Sequence, residues 1–150
     1  MDILLKKDHD QYRGTGPSPI MVSAGLGHLR PFDHPDLAKW TDSLHFGASP
    51  KHFNTYHEPT NILFGGGLDD VFENIDTGEL HIVDYKSTSQ DGGNKKVPDP
   101  LDESFLLPPK DTKKKDFKAS YRRQAEMYQW IMRRKGFQVS DTAYFLYVDG

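Results

Sequence analysis

Cysteine is absent from all 150 positions of the sequence, which excludes a disulfide, a thiolate zinc site and an iron–sulfur cluster within this chain. No run of about eighteen apolar residues occurs, so no candidate membrane-spanning helix is present. The opening "MDILLKKDHD" places its charges after a short apolar patch, the reverse of a secretory leader, and the expected location is cytoplasmic. A P-loop pattern is missing, so any accompanying ATPase or helicase activity would have to come from another protein. No aromatic signature of an RNA-recognition module is visible either. What remains is 35% hydrophobic and 27% charged, and the length suits a single domain over 1–150 with one core.

The net charge of −3 hides an asymmetry. Between Lys110 and Lys135 stand ten basic residues and three acids, so this stretch carries +7 and the remainder −10. Concentrated positive charge beside an acidic site suits a phosphate backbone, although a solvated helix face with a lysine-rich loop gives the same count.

Periodicity and turn residues divide the chain. "DILLKKDHDQY" reads as a short helix ended by Gly14, Gly16 and Pro17. Residues 17–34 read as irregular. Pro35 opens a second helix, with Leu37, Trp40 and Leu44 at helical spacing. "KHFNTYHE" reads as an edge strand, and "NILFGGGLDDVFENI" as a strand interrupted by glycines. "DTG" at 76–78 is a turn leading into a returning strand, "ELHIVDYKST". The segment 89–115 reads as a long loop inserted into a core that spans about 51–150. A helix over Asp116 to Lys135 follows, with Phe117, Tyr121, Tyr128 and Ile131 on its apolar stripe and Gly136 as its stop. "TAYFLYV" forms the last strand.

The chemistry concentrates at one strand end. Asp84 and Lys86, two apart, share a face about 6.6 Å apart along the strand, while the Tyr85 side chain turns to the other face and leaves its carbonyl near the acid. If the hairpin pairs symmetrically about Asp76–Thr77, Asp69 stands opposite Asp84 with β-carbons about 5 Å apart. A one-residue bulge at Gly78 would instead bring Asp70 opposite Asp84, and spacing alone leaves both registers open. Two carboxylates that close repel unless a cation lies between them. Mg²⁺ or Mn²⁺ takes such oxygen ligands together with water and phosphate oxygens, and Lys86 would orient water or offset developing charge.

These residues resemble the nuclease core of the PD-(D/E)XK superfamily, in its RecB-like branch. The resemblance rests on Gly66, Leu68 and Asp69, then Val83, Asp84, Tyr85 and Lys86 closed by Ser87-Thr88, and covers roughly Asn61 to Val148. It implies a restriction-endonuclease-like α/β fold, α-β-β-β-α-β, with a central mixed sheet flanked by helices. It also implies Asp69 rather than Asp70 as the first metal ligand, with Asp84 and the Tyr85 carbonyl completing the protein ligands. A Gln-x-x-x-Tyr pair on the following helix is matched by Gln124 and Tyr128, and the resemblance implies that both lie beside the active site. His28, His34, His57 and Glu58 lack a motif that would mark one of them as the family's further upstream ligand. Related sequences extend beyond both ends of this core, so the expectation is a fragment or a minimal version.

The expected function is divalent-metal-dependent DNA hydrolysis in repair, recombination or mobile-element and defence processing. Lys113, Lys114, Lys115, Lys118, Arg122 and Arg123 would follow the phosphate backbone with little sequence specificity. A catalytically inactive nucleic-acid-binding module on a nuclease fold, or a hydrolase of RNA or another phosphate ester, would draw on the same residues.

Overall fold

A computed structural model describes residues 2–42, 47–88, 107–108, 113, 116 and 118–149. In chain order its elements are α1 (Asp2–Asp10), α2 (Pro19–Ser23), β1 (Leu29–Pro31), α3 (Leu37–Trp40), β2 (Asn54–His57), β3 (Ile62–Gly65), β4 (Asp70–Asn74), β5 (Leu80–Thr88), α4 (Ala119–Arg134) and β6 (Tyr144–Asp149). A 3₁₀ turn at Glu58–Thr60 joins β2 to β3. The fold is mixed α/β. One sheet has the order β1-β4-β5-β6, and β2 with β3 forms a separate two-stranded sheet. In the larger sheet β1 to β5 are joined antiparallel through β4, and β6 runs parallel to β5.

Strand alternation assigns each residue of the β4–β5 hairpin to a face. Phe72, Val83 and Tyr85 pack with Met21 and Leu29 on one side. Val71, Leu80 and Ile82 pack on the other with Trp40, Phe53, Tyr128 and Ile131. By area, full burial of a side chain such as Phe72 or Ile131 stabilises by about 2–3 kcal/mol. α1 docks on the first face, where His9 lies parallel to the Tyr85 ring at 5.8 Å. α4 covers the second. Its last turn ends at Gly136, whose φ of +96° suits a residue without a β-carbon.

The hairpin turn keeps the symmetric register. Asp70 pairs with Val83, Val71 with Ile82 and Glu73 with Leu80. Gly78 takes the left-handed conformation at φ +75° without shifting the ladder by a residue.

Three expectations are corrected. Residues 17–34 are not irregular throughout, because they contain α2, capped by Ser18, and the edge strand β1. "KHFNTYHE" does hold an edge strand, β2, but in the small sheet, so the first strand of the large sheet is β1. "NILFGGGLDDVFENI" is two strands of different sheets rather than one bent strand, since the chain leaves β3 at Gly65 and re-enters at Asp70. The core also draws on Met21, Leu29, Leu37 and Trp40, all ahead of residue 51. No helix among the described residues is long and apolar enough to cross a membrane.

Candidate active site

Extending the hairpin register by one step beyond Asp70–Val83 sets Asp69 level with Asp84. Asp69 is held there by the backbone. Its Oδ2 accepts the Tyr85 N–H at 2.9 Å, a bond that extends the pairing one step ahead of the start of β4. In a strand each residue's N–H and C=O point to the same edge, so the Tyr85 carbonyl faces the edge where Asp69 lies. Burial raises the Asp69 pKa; the Tyr85 amide opposes this, and the adjoining Asp84 carboxylate adds to the rise.

Lys86 projects from the same face of β5. Its Nζ lies 2.6 Å from Asp84 Oδ2 and 4.6 Å from the centre of the Tyr121 ring. Burial alone would lower the Lys86 pKa, but its hydrogen bond to Asp84 and the charges of Asp84 and Asp69 raise it. The group is therefore held as an ammonium. Opposite Lys86 in the parallel register stands Tyr147 of β6, its pKa raised by burial.

α4 closes the site from above. Tyr121, Gln124 and Tyr128 fall three and four residues apart on one helix face, and all three line a cleft with Asp69, Asp84 and Phe145. The cleft leaves about 10 Å³ of free space, room for one water or one bare ion. Gln124 Nε2 donates to the Tyr128 hydroxyl at 3.1 Å. Tyr128 in turn presses on Gly66, where an added β-carbon would stand 2.7 Å from the ring.

The neighbouring acid has a different task. Asp70 is fully buried on the α1 face, where Oδ2 accepts from the Tyr85 hydroxyl at 2.7 Å and from Arg13 Nη2 at 3.0 Å. Its Oδ1 accepts the Val71 N–H at 2.8 Å. Burial and the Asp70 charge together push the Tyr85 phenol far up. All of the Asp70 side chain's acceptor capacity faces away from the cleft.

The cleft thus gathers Asp69, Asp84, Gln124 and Tyr128, with Lys86 beside it on Asp84. Two adjoining carboxylates, one strained towards its protonated form, and a carbonyl directed to the same edge suit a hard divalent cation that keeps water or substrate oxygens for its other positions. Among the described residues no group of three His, Cys, Asp or Glu side chains that could hold a metal ion converges, so a cation here would have only these two acids and backbone oxygen as protein donors. The basic residues divide. Lys118, Arg122 and Arg123 lie at the α4 end that carries Tyr121 and Gln124, with Arg122 paired to Asp116. Lys113 is exposed, and Lys114 and Lys115 lie outside the described residues.

Sequence reasoning passed over three participants. Tyr121 falls on the same helical stripe as Gln124 and Tyr128, a spacing that could have marked it. Tyr147 is brought in by the parallel pairing, which no local pattern encodes. Lys6 of α1 donates to the Asp69 carbonyl at 3.2 Å, and nothing in the sequence near it signals this. No family model, curated protein or solved structure matches the chain.

Proposed function

We propose that the chain is a divalent-metal-dependent DNA nuclease with a restriction-endonuclease-like core of the RecB-like type. The observation that carries this reading is the meeting of Asp69 and Asp84 at one strand edge with the Lys86 ammonium against Asp84. The order of elements around the larger sheet (α1, β1, β4, β5, α4, β6) supports it, since this is the α-β-β-β-α-β arrangement that the motif resemblance implies.

In hydrolysis, a water oxygen forms a bond to phosphorus while the bond to the leaving ester oxygen breaks, and a proton from the water returns to solvent or to the leaving oxygen. Asp69 and Asp84 would hold Mg²⁺ or Mn²⁺, which would supply Lewis-acid stabilisation of phosphate charge and make water more acidic. Lys86 meets the negative charge that grows on the phosphate oxygens and orients the attacking water. Gln124 and Tyr128 line the wall of the cleft beside the two carboxylates. Lys118, Arg122 and Arg123 contact flanking phosphates, so binding depends on salt and little on sequence.

Cleavage of labelled single-stranded, linear duplex and supercoiled circular DNA tests this, with Mg²⁺, Mn²⁺ or EDTA and with Asp84→Ala alongside. Metal-dependent cleavage that disappears in the variant is expected. Cleavage that persists in both Asp84→Ala and Lys86→Ala would refute the assignment. DNA binding with no cleavage by the folded protein would leave a binding module.

A further inference from the structure

Lys86 sits where a cation on Asp84 would have to come. Its Nζ contacts Asp84 Oδ2 at 2.6 Å, and the two side chains are mostly buried, 23% and 17% exposed. The cleft that Asp84 shares with Asp69 leaves about 10 Å³, so an ion entering it must lie close to both carboxylates. A carboxylate oxygen already in contact with an ammonium is a poor ligand, because a second positive charge on it is repelled by the first. Lys86 and a cation therefore compete for Asp84.

Lys86 can give way without moving the backbone, since its charge is carried on a flexible four-carbon stem. Its neighbours limit where the ammonium can go. On the β6 side the residue paired with Lys86 is Tyr147. From α4, the Tyr121 ring lies beneath Nζ, with its centre 4.6 Å away. Tyr121 also lines the cleft, and its ring is flanked at 6.4 Å by Phe145, the β6 residue paired with Asp84. The ring thus borders both the carboxylate site and the ammonium.

An ammonium is attracted to a ring face within about 6 Å of its centre, and more strongly where water is excluded. Non-bonded heavy atoms close to about 3.5–4.0 Å, so the present contact leaves room for Nζ to approach the ring as it leaves Asp84. The attraction to the ring is then greater in the displaced position than in the paired one.

We propose that Lys86 stands in for the cation on Asp84, and that Tyr121 is the positioning residue whose ring face receives the ammonium when a cation takes its place. The proposal rests on the nuclease reading and adds a residue to it. While paired, the Lys86 charge is taken up by Asp84 and relieves the repulsion between the two acids. Held by Tyr121, the same charge stays beside the cleft and becomes available to phosphate oxygens. The exchange moves no proton and breaks no covalent bond.

The test is Mn²⁺ binding without DNA, read by electron paramagnetic resonance of the free ion. The unaltered protein is compared with Lys86→Met, Tyr121→Leu, Tyr121→Phe and the Lys86→Met/Tyr121→Leu double variant, with thermal melts confirming that each folds. Lys86→Met is expected to bind Mn²⁺ about tenfold more tightly, because the competing charge is gone. Tyr121→Leu should bind it about threefold more weakly, and Tyr121→Phe, which keeps the ring face, like the unaltered protein. In the Lys86→Met background, Tyr121→Leu should change nothing. Unchanged affinity in folded Lys86→Met or Tyr121→Leu overturns the exchange. So does an equal loss from Tyr121→Leu with and without Lys86, since the ring would then act on the cleft and not through the lysine. Each of these results leaves metal-dependent DNA cleavage, and the nuclease reading, standing. Absence of Mn²⁺ binding by the unaltered protein also overturns the exchange, and if metal-dependent cleavage is absent as well the nuclease reading falls with it.

Discussion

Gly66 and Tyr128 meet at a distance that no other residue at position 66 would permit, because a β-carbon there would stand 2.7 Å from the tyrosine ring and 2.8 Å from its hydroxyl. The ring is packed edge-on against Phe53 on its other side and cannot retreat without moving the core. Gly66→Ala is therefore expected to destabilise the fold by about 1–3 kcal/mol, the usual cost of overpacking. Urea denaturation checks this, and adding Tyr128→Ala should recover part of the loss as a coupling energy.

Asp69 and Asp70 are expected to respond in opposite ways to loss of charge. Asp70→Ala strips a fully buried partner from Arg13 and from the Tyr85 hydroxyl. Arg13 keeps its pairing with Asp10, so the cost is that of leaving the buried Tyr85 hydroxyl without its acceptor, about 1–3 kcal/mol. Asp69→Asn keeps an acceptor for the Tyr85 amide and removes a carboxylate whose pKa is raised in the fold. A raised carboxylate pKa opposes stability once pH exceeds the unfolded value of 3.8. At neutral pH the asparagine variant should thus be as stable as the parent or up to about 1 kcal/mol more so. Thermal melts at neutral pH separate the two cases.

Added Mg²⁺ or Mn²⁺ should raise the melting temperature of the parent protein, because a cation that binds only the folded state stabilises by mass action. The same additions should leave Asp69→Asn and Asp84→Asn unmoved. A shift of equal size in all three proteins would place the cation elsewhere.

His9 sets a pH window. It is fully buried, neither ring nitrogen has a hydrogen-bond partner among the described residues, and burial lowers its pKa below 6.5 despite the charge of Asp70. Above 6.5 both folded and unfolded forms carry a neutral ring, and the contribution is fully present. As pH falls from 6.5 towards the lower folded value, the unfolded chain takes up the proton first, and stability falls. Urea midpoints measured across this window should decline for the parent and decline less for His9→Phe.

Electrostatic reach along α4 can be read from salt dependence. Arg123 is exposed on the turn between Tyr121 and Gln124. Arg123→Gln should reduce the slope of log affinity against log salt by about 0.9 on duplex DNA without changing sequence preference.

The β4–β5 hairpin was legible because a period of two combined with "DTG" leaves few registers, and one of them pairs residue 69 with 84. The faces of Asp84, Lys86 and Tyr85 followed directly. Choosing between Asp69 and Asp70 was not a local matter: Arg13, far upstream, supplies the partner that marks Asp70 as a structural acid. β1 escaped notice because three residues, "LRP", are too few for a period and end in proline. The glycines at 65–67 advertised a break, but whether a chain bends within one sheet or passes to another depends on partners distant in sequence. α4 showed its amphipathic stripe plainly, yet where its last-turn cations reach depends on the position of the β2–β3 sheet.

Both acids of the cleft belong to one hairpin, whereas its cover comes from α4 and β6, joined to that hairpin across residues 89–118. The carboxylate spacing is thus an inheritance of a short local ladder, and access to it is governed by a separate part of the chain. Substitutions in the cover can change what reaches the cleft without disturbing the distance between Asp69 and Asp84. Altering the ladder by a single residue would turn one acid to the opposite face and leave the cover with nothing to guard.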